Sequence, residues 1–230
     1  MADRFLGAVH ALTATVGRES QLCRPFLDIL PVDGASISTI GDFLGAETVS
    51  ASDAQAVRLD ELQFDFGEGP CWDALATAAP VLEPNVRLEP ARRWPAFADA
   101  ILGENLGAIF AFPLVLGPLR LGAIDLYTVR PTQLSALHIQ QAVALSTVVS
   151  RVVLLRAFRL AAGSSEPEAS DQFSRRAIHQ ATGMVLIQLQ IPANDARLII
   201  QGHAFAAGRS MLDIAEDIIS GQLNFADEID

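Results

Sequence analysis

Leu59-Asp60-Glu61-Leu62-Gln63-Phe64-Asp65-Phe66-Gly67-Glu68-Gly69-Pro70-Cys71-Trp72-Asp73-Ala74-Leu75 lies in a central stretch, residues 52–104, that Pro70, Pro80, Pro84, Pro90 and Pro95 divide into short helices and loops. Gly67 and Gly69 permit a sharp turn and a close backbone approach. Pro70 is placed to open a helix at its first position. Cys71 then falls in the first helical turn, where unsatisfied N–H groups and the helix dipole favour a thiolate. The carboxylates of Glu68 and Asp73 oppose that ionisation. Two readings stay open: a reactive thiol, or a small apolar residue packed under the turn beside a core Trp72.

Upstream, residues 3–30 have a helical period that ends before Pro31, and Gly34 to Ile40 alternates small or polar with apolar residues, the pattern of a strand. A second strand is expected over residues 44–51. Downstream, two apolar runs, 107–116 and 119–129, flank Gly117-Pro118 and read as an antiparallel hairpin. Ser135 can cap a helix over 136–160, on which Leu145, Val148, Val152 and Leu155 form one apolar stripe and Val149 and Val153 a second. Two stripes suit either a helix deeply buried in its own domain or one that also packs on a partner helix, so homodimerisation is expected. Strands, helices and then strands again indicate an α+β fold rather than alternating βαβ units.

Composition removes several classes of function. All 16 basic residues are arginine, against 27 acids, for a net charge of −11. Without lysine there is no P-loop lysine, no Schiff base and no lysine-dependent kinase site. Two cysteines cannot form a disulfide framework, and the four histidines lack metal-ligand spacing. Neither a nucleophile elbow nor a dinucleotide fingerprint occurs, so an enzyme is not expected. No signal peptide is visible, and the longest apolar run, 143–160, is interrupted by Arg151, Arg156 and Arg159. The expectation is a cytoplasmic protein with no membrane partner.

Together with Arg93-Trp94-Pro95-Ala96-Phe97 and Phe110-Ala111-Phe112-Pro113-Leu114, the Gly-Glu-Gly-Pro-Cys-Trp segment resembles a GAF domain of the type found ahead of ANTAR modules. The resemblance implies a small-molecule or redox sensor: a central antiparallel sheet with flanking helices over residues 1–160, ending in a long connecting helix. The candidate ligand or redox positions are Glu68, Cys71, Trp72, Arg93 and Trp94. Arg93 and Trp94 could line a cavity or stack on a ligand, but the residues themselves favour a structural salt bridge and a buried anchor. No cofactor is expected beyond an unidentified small molecule in this domain.

After a small, acidic linker assigned to 161–171, residues 172–223 read as three short helices, followed by an acidic tail at 224–230. The first contains Arg175-Arg176-Ala177-Ile178-His179-Gln180-Ala181-Thr182-Gly183-Met184-Val185-Leu186, with Ile178, Ala181, Val185 and Leu189 at core spacing. This order, and the Gln-Ala-x-Gly-Met-Val-Leu run above all, resembles the ANTAR domain, a three-helix RNA-binding module of transcription antiterminators. The resemblance implies binding to paired hairpins in nascent RNA through Arg175, Arg176, His179, Gln180, Thr182, Gly183 and Arg209. Arginine can contact phosphate or stack on a base, glutamine can read a base edge, and Gly183 allows close approach. From Asp171 on, however, four arginines face eight acids. Phosphate binding draws on cations, so RNA affinity rests on whether those arginines cluster. The alternative is a dimeric signalling or scaffold protein whose three-helix module no longer binds RNA.

Overall fold

The computed structural model describes residues 2–14, 21–40, 44–88, 93–162 and 175–228. The chain divides into two compact units, Met1–Phe173 and Ser174–Asp230. Most of the expected linker, from residue 163 on, lies outside the described residues.

The N-terminal unit contains α1 (Ala2–Ala14), α2 (Arg24–Ile29), β1 (Gly34–Thr39), β2 (Glu47–Ala51), α3 (Ala54–Phe66), α4 (Pro70–Thr77), β3 (Val81–Glu83), α5 (Pro95–Ala100), β4 (Ala108–Leu116), β5 (Leu119–Thr128) and α6 (Ala136–Ala161). The helical period expected over 3–30 is thus carried by separate helices. Pro25 explains the second start, because its ring is tolerated at the head of a helix and not inside one. The strands form an antiparallel sheet in the order β2-β1-β5-β4-β3. The hairpin at Gly117-Pro118 forms as its alternation predicts. β3 shows no alternation of its own: three residues are too short to show a period, and pairing with β4 (Val81↔Ala111, Glu83↔Ile109) defines it.

Each face of the sheet has its own core. Ile37, Phe110, Phe112, Ile124 and Leu126 meet α1, α2 and α6 on one side. Ile109, Ala111 and Tyr127 meet α3, α4 and α5 on the other. Side chains alternate between faces along a strand, which is why neighbours such as Ile109 and Phe110 serve different cores.

At Gly122 the central strands leave no space. An added Cβ would lie 1.9 Å from the Ser38 carbonyl oxygen, a backbone atom that cannot rotate away. Gly122→Ala should therefore force β1 and β5 apart and destabilise the domain by about 3 kcal/mol, as overpacking does in tight sites. Urea unfolding would measure this; an unchanged midpoint would contradict the tight approach of the two strands.

Helix α6 begins as expected, with Ser135 Oγ accepting from the His138 amide at 3.2 Å. Leu145, Val149, Val152 and Val153 are buried and Val148 is half-buried, but Leu155 is 54% exposed, against the expected stripe. The helix is 26 residues long, about 39 Å at 1.5 Å per residue, and its C-terminal turns lie beyond the packed core. Near that end Arg156 forks onto Glu47 of β2 at 2.9 and 2.7 Å, tying helix to sheet edge.

The C-terminal unit contains α7 (Arg176–Leu189), α8 (Ala193–Ala207) and α9 (Met211–Ser220). Ile178, Ala181 and Val185 of α7 are buried with Ala196, Ile200, Ala204, Met211, Ile214, Ala215 and Ile218, whereas Leu189 is only half-buried. Ser210 and Asp213 form a reciprocal capping box at the start of α9. Residues 224–230 do not all behave as a tail: Phe225–Glu228 forms a 3-10 turn. Phe225 is buried edge-on against His203 at 5.3 Å, and its amide donates to Gln188 Oε1 at 3.3 Å. The buried ring and this hydrogen bond together hold the segment against α7 and α8.

Candidate ligand site on the sensor sheet

Polar side chains collect on the sheet face beneath α3, where an apolar core would be the default. Ser36 and Ser38 of β1, Thr48 of β2, Asp125 of β5, and Asp60 and Gln63 of α3 are all buried. The pleat aims alternate residues of the strands upward, and the i, i+3 spacing on α3 aims Asp60 and Gln63 down. α3 is fixed at its start by Asp53, which accepts from the Ala56 amide at 2.9 Å, and it ends at Gly67 in the left-handed region (φ 64°).

Asp60 accepts from Ser38 Oγ at 2.7 Å and from Thr48 Oγ1 at 2.5 Å. Gln63 links three elements. Its Nε2 donates to Asp125 Oδ2 at 3.0 Å, its Oε1 accepts from the Cys71 amide at 2.8 Å, and its carbonyl oxygen accepts from Trp72 Nε1 at 2.7 Å. Gly69 packs against the same side chain: a Cβ there would lie 2.6 Å from Gln63 Cγ. This contact is the close approach that the Gly-Glu-Gly-Pro turn permits.

The residues singled out in the sequence gather around that turn. Glu68 Oε1 accepts from the Phe97 amide at 2.9 Å, in the first turn of α5. Asp73 Oδ2 accepts from Arg93 at 2.7 Å and from the Trp94 indole N–H at 3.1 Å. The Arg93 guanidinium lies 4.5 Å from the centre of the Trp94 ring, and Trp94 meets Phe97 edge-on at 6.5 Å. Trp94 is buried, Trp72 half-buried and Arg93 exposed. The salt bridge and the buried anchor are thus both present. Cys71 is 2% exposed and packs with Ile40 and Ala123, which favours its reading as a small core residue over an accessible thiol.

Asp60, Gln63 and Asp125 were not picked out in the sequence. One signal was available: Asp125 is an acid between two apolar pairs, Ala123-Ile124 and Leu126-Tyr127. Its place opposite Asp60 depends on strand register and helix docking, which the sequence does not display.

Burial pushes the Asp125 carboxyl well above the usual carboxylate range, the negative charge of Asp60 adds to the shift, and the Gln63 hydrogen bond opposes it. The folded state therefore holds a proton that the unfolded chain releases near pH 4. Stability from this group is complete below that unfolded value and is lost as pH rises toward the folded value. Asp125→Asn removes the ionisation, so its stability relative to the parent should increase from about pH 4 to pH 7. Thermal melts at both ends of that range test it, and a constant difference would contradict it.

In the C-terminal unit, Arg176, His179, Gln180 and Gly183 are exposed on α7. A Cβ added at Gly183 would meet nothing within 4 Å, so this glycine does not admit a crossing helix of its own bundle. Three other expected contact residues lie elsewhere or are engaged. Arg175 is buried at the head of α7. Thr182 is half-buried, with its hydroxyl donating to the Ile178 carbonyl at 2.7 Å. Arg209 is exposed but paired with Asp217, and their hydrogen bond holds the Asp217 carboxyl below the usual range. Arg197 is half-buried, so the four arginines do not form one exposed cluster.

Among the described residues, no group of acids, histidines and cysteines could hold a metal ion, and no helix is long and apolar enough to cross a membrane. No curated protein matches the chain. The fold is similar to the GAF domain of a phosphoenolpyruvate-protein phosphotransferase from Acinetobacter, with TM-score 0.54 and 13% identity over 73% of this chain and 97% of that one. The corresponding domain from Coxiella burnetii gives TM-score 0.51 and 16% identity over 71% and 99%. Free methionine-R-sulfoxide reductase from Neisseria meningitidis, solved with its substrate, gives 0.50 and 11% over 68% and 89%. At these identities the likeness is one of fold. The GAF domain family model itself matches residues 14–153, and the chain belongs to the GAF domain family.

Proposed function

We propose that this protein is a signal-responsive, non-enzymatic regulator in which the GAF domain controls an ANTAR-like C-terminal module that binds paired RNA hairpins and promotes transcription antitermination. The observation that carries the RNA reading is the division of α7. The apolar members of its ANTAR-like run are buried, while Arg176, His179, Gln180 and an unobstructed Gly183 are presented outward. A helix-interior glycine costs stability relative to alanine, and an open approach for a ligand offsets that cost.

Each module offers few cations, so a single contact is weak. Pairing two chains raises the effective concentration of the second contact once the first has formed. An exposed stripe of Val143, Thr147, Arg151, Leu155 and Phe158 on α6 supports a homodimer through that helix. A ligand in the GAF domain would act on that pairing by favouring one arrangement over another. A two-hairpin leader RNA titrated at two salt concentrations tests the function. Saturable, loop-dependent binding with a shallow salt slope, roughly one phosphate contact per exposed arginine, is expected. Binding indifferent to loop sequence, or none by a verified dimer, removes the RNA reading.

A second reading has its own support. Ile187, Leu198 and Phe205 on the C-terminal unit are 74%, 55% and 65% exposed, a set better suited to a protein partner than to phosphate. In that reading the module serves for docking or dimerisation alone.

A further inference from the structure

We infer that Asp125, paired with Asp60 beneath α3, recognises a small ligand through a cationic N–H donor, an ammonium or amidinium group, and that Gln63 relays its arrival to the Gly69–Trp72 turn. The inference rests on the sensor reading of the GAF domain and narrows it to one class of signal.

The two acids are provided for unequally. Asp60 has a hydroxyl donor on each oxygen, from Ser38 and Thr48. Asp125 has the Gln63 amide on Oδ2, while Oδ1 accepts no hydrogen bond in a residue only 5% exposed. Buried acceptors in folded proteins normally have a partner, and an orphan of this kind marks a place where one is due. In strand register Asp125 is flanked by Ser36 and Ala111, two small side chains. The Gln63 side-chain amide is already committed at both ends.

Charge selects the class of donor. An anionic group would face two carboxylates. A neutral donor would fill Oδ1 but leave the repulsion between Asp60 and Asp125 in place. A cationic N–H donor takes the place of the proton that Asp125 otherwise holds: it fills the acceptor of the ionised carboxylate, offsets the repulsion from Asp60 and releases the proton to solvent, and charge-assisted hydrogen bonds are the stronger kind. The upward shift of the Asp125 carboxyl has the same origin: burial and Asp60 both oppose its charge, and a bound cation would favour it.

Gln63 makes the site readable at a distance. The side-chain amide that holds Asp125 also holds the Cys71 amide, and the Gln63 carbonyl holds the Trp72 indole. Gly69 has no slack against this side chain, so a shift of Gln63 toward or away from Asp125 passes into the turn ahead of α4.

Methylammonium is the simplest probe. The full-length protein, with its two tryptophan indole signals distinguished by Trp94→Phe, is titrated with methylammonium chloride and, at equal ionic strength, with sodium chloride and tetramethylammonium chloride, which has no N–H. A saturable displacement of the Trp72 indole signal is expected with methylammonium alone, up to roughly 100 mM for so small a ligand. Asp125→Asn should weaken it at least about tenfold. The Asp125 carboxyl carbon signal of the parent protein gives an independent readout should that variant fail to fold: it must move toward its ionised position as methylammonium binds. No saturable displacement, one shared with tetramethylammonium, or one unchanged in folded Asp125→Asn would overturn the inference. So would an unmoved carboxyl signal. If methylammonium is silent while neutral or anionic metabolites move the Trp72 signal, the cation inference falls and the sensor reading stands. If nothing in a broad panel moves it, both fall.

Discussion

Trp94→Ala is expected to destabilise the GAF domain by about 3–5 kcal/mol, the usual cost of emptying a large aromatic site. Trp94 is among the largest fully buried side chains of the described residues, at 2% exposure. Its indole N–H donates to Asp73, Arg93 lies over its face, Phe97 meets its edge, and it belongs to the core under α3 and α5. Truncation leaves a cavity, removes the ring under Arg93 and deprives Asp73 of one of its donors. Against a typical domain stability of about 5–15 kcal/mol, the loss is a large fraction of the whole. Trp94→Phe retains most of the volume but leaves Asp73 short of that donor, and should cost about 1–2 kcal/mol. Urea unfolding with Trp72 as the remaining fluorophore distinguishes the two. A loss below about 1 kcal/mol for the alanine variant would place Trp94 outside the cooperative core.

The second large effect concerns the C-terminal module. Arg176→Ala combined with Gln180→Ala should reduce affinity for a two-hairpin RNA by about 30-fold or more, the loss of a phosphate or stacking contact and a base-edge contact together. Both side chains are exposed on α7, so stability should stay within about 0.5 kcal/mol of the parent. Gly183→Ala distinguishes a surface that meets RNA from one that merely faces water. The added methyl meets no atom of the protein, so the helix should gain up to about 1 kcal/mol. In the proposed RNA complex affinity should nevertheless fall, because the methyl would stand where the RNA backbone is proposed to approach. Gain of stability with unchanged affinity would mean that Gly183 plays no part in recognition.

Elements whose stabilising contacts are local could be read from the chain. The β4–β5 hairpin follows from alternation on either side of Gly117-Pro118, α6 from the Ser135 cap, and α7 to α9 from apolar residues at helical spacing. Elements defined by partners distant in sequence could not. β3 exists through its pairing with β4, and the opposition of Asp60 and Asp125 depends on where α3 rests on β5. Arg175 is the turn residue ahead of α7 and Arg176 its first helical residue, and the adjacent pair ends in different environments, one buried and one exposed. That difference weakens the electrostatic case for RNA binding, since buried Arg175 was one of the four cations counted toward it. Leu155 keeps the spacing of its stripe but falls on the face of α6 that it shares with exposed Val143, Thr147 and Arg151.

The central claim is that the GAF domain controls a module that grips folded transcripts. Cross-linking the full-length protein to cellular RNA and sequencing what is recovered tests it most directly. The expected result is enrichment of short-loop hairpins in adjacent pairs, lost in the Arg176→Ala/Gln180→Ala variant. Recovery of the same RNA, in the same amount, from parent and variant would contradict the claim.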